Sequence, residues 1–133
     1  MIKTEDIIHR REAVKEETSL RKAAYKIMST RYPGLPVVND ALEVIGVVTE
    51  HDLIKAFRQG ADPDSSLVKD VMNREPVTAD VNTPVDRVID LMIENRFTMI
   101  PITKNNRLAG IACRDSVLEV YVESGIWDYY SQR

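Results

Sequence analysis

Residues 46–57 read GVVTEHDLIKAF. The run Gly46-Val47-Val48 has the β-branched, apolar character of a short buried strand. It stops at Thr49, and Asp52 follows three residues later, at the head of an amphipathic stretch. A hydroxyl residue followed at the third position by an acid marks a capped helix start. The hydroxyl accepts a free N–H of the first turn, and the acid reaches back to the cap's own N–H. The same step also suits a ligand. A helix start offers unpaired N–H groups and the positive end of the dipole, a seat for phosphate. A carboxylate one turn in can accept both hydroxyls of a cis-diol, at about 1.5–3 kcal/mol for each hydrogen bond to a charged group. The local sequence fits both the cap, worth about 1 kcal/mol, and the clamp.

Working outward, the chain repeats itself. LPVVNDALEVIGVVTEHDLIKAF (35–57) aligns with IPITKNNRLAGIACRDSVLEVY (100–121), with one residue fewer in the second turn. Upstream, Leu20, Ala23, Ala24, Ile27 and Met28 fall on Val85, Val88, Ile89, Met92 and Ile93. Both sets follow the i, i+3, i+4, i+7, i+8 spacing of one helix face. Arg31-Tyr32 falls on Arg96-Phe97, and DIIHRREAV (6–14) on DVMNREPVT (70–78), the last within one residue of register. Each copy spells a short extended segment (13–15; 77–79), an amphipathic helix, two strands around a polar turn (36–38 and 44–48; 101–103 and 108–112), and a closing helix (52–57; 116–121). Thr83-Pro84 reads as a cap with proline at the first helical position. The division is 1–57 for repeat 1, 58–66 for a linker rich in Gly, Pro, Asp and Ser, 67–121 for repeat 2, and 122–133 for a tail that concentrates Trp127, Tyr129 and Tyr130. Units this small bury too little surface alone. The expected architecture is therefore α+β, two β-α-β-β-α repeats packed sheet to sheet around a pseudo-two-fold axis.

Composition narrows the function classes. The chain has 133 residues, 44% hydrophobic and 29% charged, with a net charge of −3. That balance suits a folded core and argues against a nucleic-acid binder, which carries a basic face. One cysteine, Cys113, allows no internal disulfide and no Cys-rich metal site. Two histidines, His9 and His51, without a nucleophile motif or a P-loop lysine, supply no recognisable catalytic set. No enzyme activity, no resident metal and no membrane span are expected, and the chain reads as cytoplasmic.

The element order, the LPVV strand and Gly46-Val47-Val48-Thr49-Glu50-His51-Asp52-Leu53 together resemble the CBS domain. Recurrence of the pattern at a constant offset resembles the tandem pair called a Bateman module, over residues 2–121. The resemblance implies a stand-alone regulatory module that needs no cofactor. It implies binding of an adenosine-containing metabolite such as AMP, ADP, ATP or S-adenosylmethionine, probed by an unidentified protein partner, in a homodimer. It assigns Asp52 to the ribose and Thr49 to ribose or phosphate. His51 stands at the helix start and faces either ligand or solvent. The base slot implied by the family comprises Met72, Pro76, Val77, Phe97 and Thr98, each of which is equally readable as packing. The alternative is a protein-interaction and dimerisation module in which ligand binding has lapsed.

The second copy departs from the pattern. Cys113 stands at the threonine position and Ser116 at the aspartate position. This degenerate cleft, with Arg114, Asp115 and Tyr32 nearby by alignment, lacks the anionic clamp. Cys113 itself reads as a small buried residue. Since a pure cap would serve both copies alike, the asymmetry singles out Thr49 and Asp52.

Overall fold

The computed structural model describes residues 3–122. The aromatic tail residues Trp127, Tyr129 and Tyr130 lie outside the described residues. Among the described residues, four α-helices, α1 (Leu20–Thr30), α2 (Glu50–Arg58), α3 (Val85–Asn95) and α4 (Arg114–Val122), accompany five strands. The strands are β1 (Gly34–Val38), β2 (Val44–Thr49), β3 (Ala79–Asp80), β4 (Met99–Lys104) and β5 (Arg107–Cys113). They form a two-stranded sheet, β1-β2, and a three-stranded sheet, β3-β4-β5. The fold class is α+β, as the repeat predicts.

By spatial proximity the chain forms two compact units. One comprises Met1–Arg11, Thr78–Lys104 and Ala109–Arg133, and the other Glu12–Val77 and Asn105–Leu108. The sequence repeats and the spatial units are thus different divisions. Residues 3–11 join the unit of the second repeat's strands, and 67–77 join that of the first.

In the unit built on Glu12–Val77, β1 is buried along its whole length and pairs antiparallel with β2, Pro36 opposite Val47. Val14 adds a parallel bridge to Val37, with its N–H on Pro36 O at 3.0 Å and its carbonyl accepting from Val38 at 2.9 Å. Helix α1 starts at Ser19, whose hydroxyl accepts the Lys22 N–H at 3.2 Å. It lays Leu20, Ala23 and Ile27 into the core. The β1–β2 turn closes on Asn39, whose side-chain oxygen accepts the N–H groups of Ala41 and Glu43, each at 3.0 Å, an Asx-type turn.

The other unit repeats this plan with different local chemistry. Ala79 pairs parallel with Ile102. Strands β4 and β5 are joined by Asn105-Asn106, which fall in the unit built on Glu12–Val77 and both lie at positive φ (52° and 64°), as a two-residue hairpin turn requires. Val88 and Met92 from α3 pack with Ile100, Ile102 and Ala112. The expected Thr83 cap is not made. Helix α3 begins after Pro84 without a side-chain cap, and Thr83 Oγ1 accepts the Asp80 N–H at 3.1 Å, closing the preceding turn. Pro84 lacks the N–H and Val85 already leads the buried face, so the start is fixed by burial. In both copies the last member of the apolar helix stripe, Met28 and Ile93, is exposed, at 70% and 72%.

Candidate functional site

The last residue of β2 is Thr49, and α2 begins at Glu50. Thr49 Oγ1 accepts the Asp52 N–H at 3.2 Å, and Asp52 Oδ2 accepts the Thr49 N–H at 2.9 Å. The capping box read from sequence is therefore complete. Asp52 is half-buried, and among the described residues nothing is hydrogen-bonded to its other oxygen, Oδ1. His51 lies exposed in the same first turn. Asp52 also borders a polar depression of about 230 Å³ shared with Lys55, Ala56, Gln59, Asp70 and Val71.

Beside this step runs the segment that follows the linker. Asn73 bridges Val47, with N–H···O distances of 2.9 and 3.0 Å in the two directions. Gly46 makes that approach feasible, because a Cβ there would lie 2.8 Å from Asn73 O and 3.0 Å from Met72 Sδ. Met72, 8% exposed, thus covers Gly46 one residue from the bridge. Pro76 is half-buried and Val77 exposed. The structure brings Thr49 and Asp52 together at the end of β2, with Met72 against Gly46, three residues earlier on the strand. Phe97 and Thr98 belong to the other unit, where Phe97 packs against the core of α3 and β4. Arg74 is taken up by Glu16, at 3.3 Å, and by the Lys69 carbonyl, at 3.0 Å. Tyr32 is half-buried, on the loop before β1.

The matching step at the end of β5 is less stripped than the sequence suggests. Ser116, 1% exposed, accepts the Cys113 N–H at 3.1 Å. It replaces Asp52 in the backbone half of the cap. What the second copy lacks is the threonine hydroxyl and a second carboxylate oxygen. The asymmetry therefore concerns the group that faces outward more than the cap itself. Cys113 is 4% exposed. Burial, reinforced by the Asp115 charge, pushes its thiol up to about 12, so with no ion bound it is held protonated at neutral pH. Arg114 is exposed.

One group was not legible in the sequence. His9 runs antiparallel beside Ile111, with its N–H on Ile111 O at 2.8 Å, just as Asn73 runs beside Val47. This settles the register: His9 matches Asn73, and Ile8 matches Met72. The imidazole Nε2 lies 3.0 Å from Asp115 Oδ1, and donor atoms of His9, Cys113 and Asp115 all lie within 4.8 Å of one another. The repeat alignment places His9 on Asn73 but does not say which strand either segment lies against, so no sequence signal pointed to this group.

The profile of the CBS domain matches residues 3–59 and 68–123. The chain belongs to the CBS domain family. It is a tandem CBS pair. It is 32% identical over 99 residues, 73% of this chain, to an uncharacterized protein, MK0525, of Methanopyrus kandleri, of which that match covers 50%. The chain spans about half the length of the curated relatives it matches. Its fold is that of the CBSX2 crystal structure in complex with AMP, with a TM-score of 0.83 at 23% identity, over 94% of this chain and 99% of that one. It is also that of the CBS pair of protein MJ0100 in complex with 5′-methylthioadenosine and S-adenosyl-L-methionine, with a TM-score of 0.80 at 22% identity, over 90% and 99%. No helix among the described residues is long and apolar enough to cross a membrane.

Proposed function

We propose that this CBS pair is a cytoplasmic regulatory module, without catalytic activity, that binds an adenosine-containing metabolite at the β2–α2 step. The observation that carries the reading is the half-buried Asp52 carboxylate. One oxygen holds the Thr49 backbone and the other, Oδ1, is left for a ribose hydroxyl. The Glu50 N–H is taken by Pro33 O at 3.0 Å and the Asp52 N–H by Thr49 Oγ1 at 3.2 Å, so the Thr49 hydroxyl and the His51 N–H, at the positive end of α2, are the donors for sugar or phosphate. Half-buried Pro76 and exposed Val77 supply apolar surface for a base, while Met72, 8% exposed, contributes little. Complexes of CBSX2 with AMP and of MJ0100 with S-adenosylmethionine support the ligand class. Binding acts on a partner protein only through a difference in affinity between two states of the module.

The test is a thermal-shift and calorimetric panel of AMP, ADP, ATP and S-adenosylmethionine. At about 100 times its dissociation constant, a ligand stabilises by about 2.7 kcal/mol. If none raises the melting temperature, the sensor reading fails.

The second reading is a dimerisation and interaction module. It is favoured by apolar side chains exposed on the helices: Tyr25, Met28 and Ile54 in one unit, Ile93, Leu118 and Tyr121 in the other. A homodimer is compatible with both readings. Sedimentation velocity with and without nucleotide separates them, since a pure interaction module associates without regard to ligand.

A further inference from the structure

We propose that His9, Cys113 and Asp115 form a binding site for a divalent transition-metal ion of the zinc type. Their donor atoms, an imidazole nitrogen, a thiol sulfur and a carboxylate oxygen, lie within 4.8 Å of one another. Zinc takes these three ligand types in a tetrahedron with bonds of about 2.0–2.3 Å, so small side-chain adjustments close the set around an ion. A thiolate with an imidazole selects zinc over magnesium or calcium, which take oxygen ligands.

The backbone holds each ligand in place. His9 is hydrogen-bonded to Ile111 in both directions, at 2.8 and 3.3 Å. It can come this close only because residue 110 is glycine: a Cβ there would lie 2.5 Å from His9 O and 2.8 Å from Ile8 Cδ1. Cys113 ends β5, and Asp115 stands in the first turn of α4, where its Oδ1 also accepts the Ser116 N–H at 2.9 Å. Burial is graded across the set: Cys113 is 4% exposed, while the His9 and Asp115 side chains are 26% and 63% exposed. Three protein ligands with an open lip leave the fourth position to water or an exogenous ligand, the pattern of an accessible zinc site. Binding displaces the thiol proton.

The same positions in the other copy carry Asn73, Thr49 and His51, a single metal ligand among three. The donor set therefore exists once, in the copy without the carboxylate clamp. The alternative outcome is no ion, only the 3.0 Å contact of His9 Nε2 with Asp115 Oδ1 beside a core cysteine.

Chelator-stripped protein titrated with Co²⁺ decides between them. The expected result is one Co²⁺ per chain, with ligand-field bands of tetrahedral coordination and a thiolate-to-cobalt charge-transfer band that Zn²⁺ abolishes on displacement. Cys113→Ser loses the charge-transfer band. His9→Gln, altered at a half-buried side chain, weakens uptake while circular dichroism shows the fold retained. The proposal is overturned by an absence of stoichiometric uptake, by uptake without the charge-transfer band, or by uptake that His9→Gln leaves unchanged.

Discussion

Asp52 Oδ2 accepts the Thr49 backbone N–H at 2.9 Å, and in the other copy Ser116 Oγ accepts the Cys113 N–H at 3.1 Å. One backbone donor is served by a carboxylate in one repeat and by a hydroxyl in the other. The protein therefore contains its own control for separating the cap from the clamp.

Asp52→Ser should keep the hydrogen bond that Ser116 makes and lose the oxygen proposed for the ribose. Asp52→Ala should lose both. We expect Asp52→Ala to cost about 1 kcal/mol in urea denaturation, Asp52→Ser well under half of that, and both to abolish the nucleotide-induced rise in melting temperature. An equal rise in wild type and Asp52→Ser would place the ligand elsewhere.

His51 is exposed in the first turn of α2. His51→Ala should change stability by less than about 0.5 kcal/mol. If the phosphate sits at the helix start, the variant weakens AMP binding and leaves adenosine binding unaltered. Calorimetry with both ligands measures the difference, and an equal loss for both would move the phosphate away from α2.

Gly46 and Gly110 each admit a neighbouring backbone, with Asn73 O at 2.8 Å and His9 O at 2.5 Å from an added Cβ. Backbone cannot rotate aside as a side chain can. Gly46→Ala and Gly110→Ala should each cost about 1–3 kcal/mol, Gly110→Ala the more. Amide exchange should report the loss at the Val47–Asn73 bridge in Gly46→Ala and at the His9–Ile111 bridge in Gly110→Ala.

The Cys113 thiol is held at about 12 by burial and by Asp115, above the ordinary value of about 8.5 that it regains on unfolding. Between these values the folded state binds the proton and the unfolded state does not. This contribution to stability is complete below about pH 8.5 and falls as pH rises toward 12. Cys113→Ala should show a shallower alkaline loss of stability than wild type in parallel denaturant titrations. In the folded protein at neutral pH the thiol should resist alkylation, and react once denaturant is added.

Sequence alone determined the repeat, the α+β class and the strand–helix steps. These follow from local periodicities and from hydrogen bonds three residues apart, as at Thr49 and Asp52. It placed the cap of α3 on Thr83 and the first helical residue at Pro84, one residue early, because a cap motif is also a turn motif and Thr83 closes the preceding turn. Tertiary structure decided which segment lies beside which strand: His9 against Ile111, more than a hundred residues away, and Asn73 against Val47. Those pairings rest on backbone hydrogen bonds and on the absence of a Cβ at Gly46 and Gly110. Neither leaves a periodicity in the side chains. For that reason the cap at Thr49 could be read from one copy, whereas the grouping of His9, Cys113 and Asp115 required the folded chain.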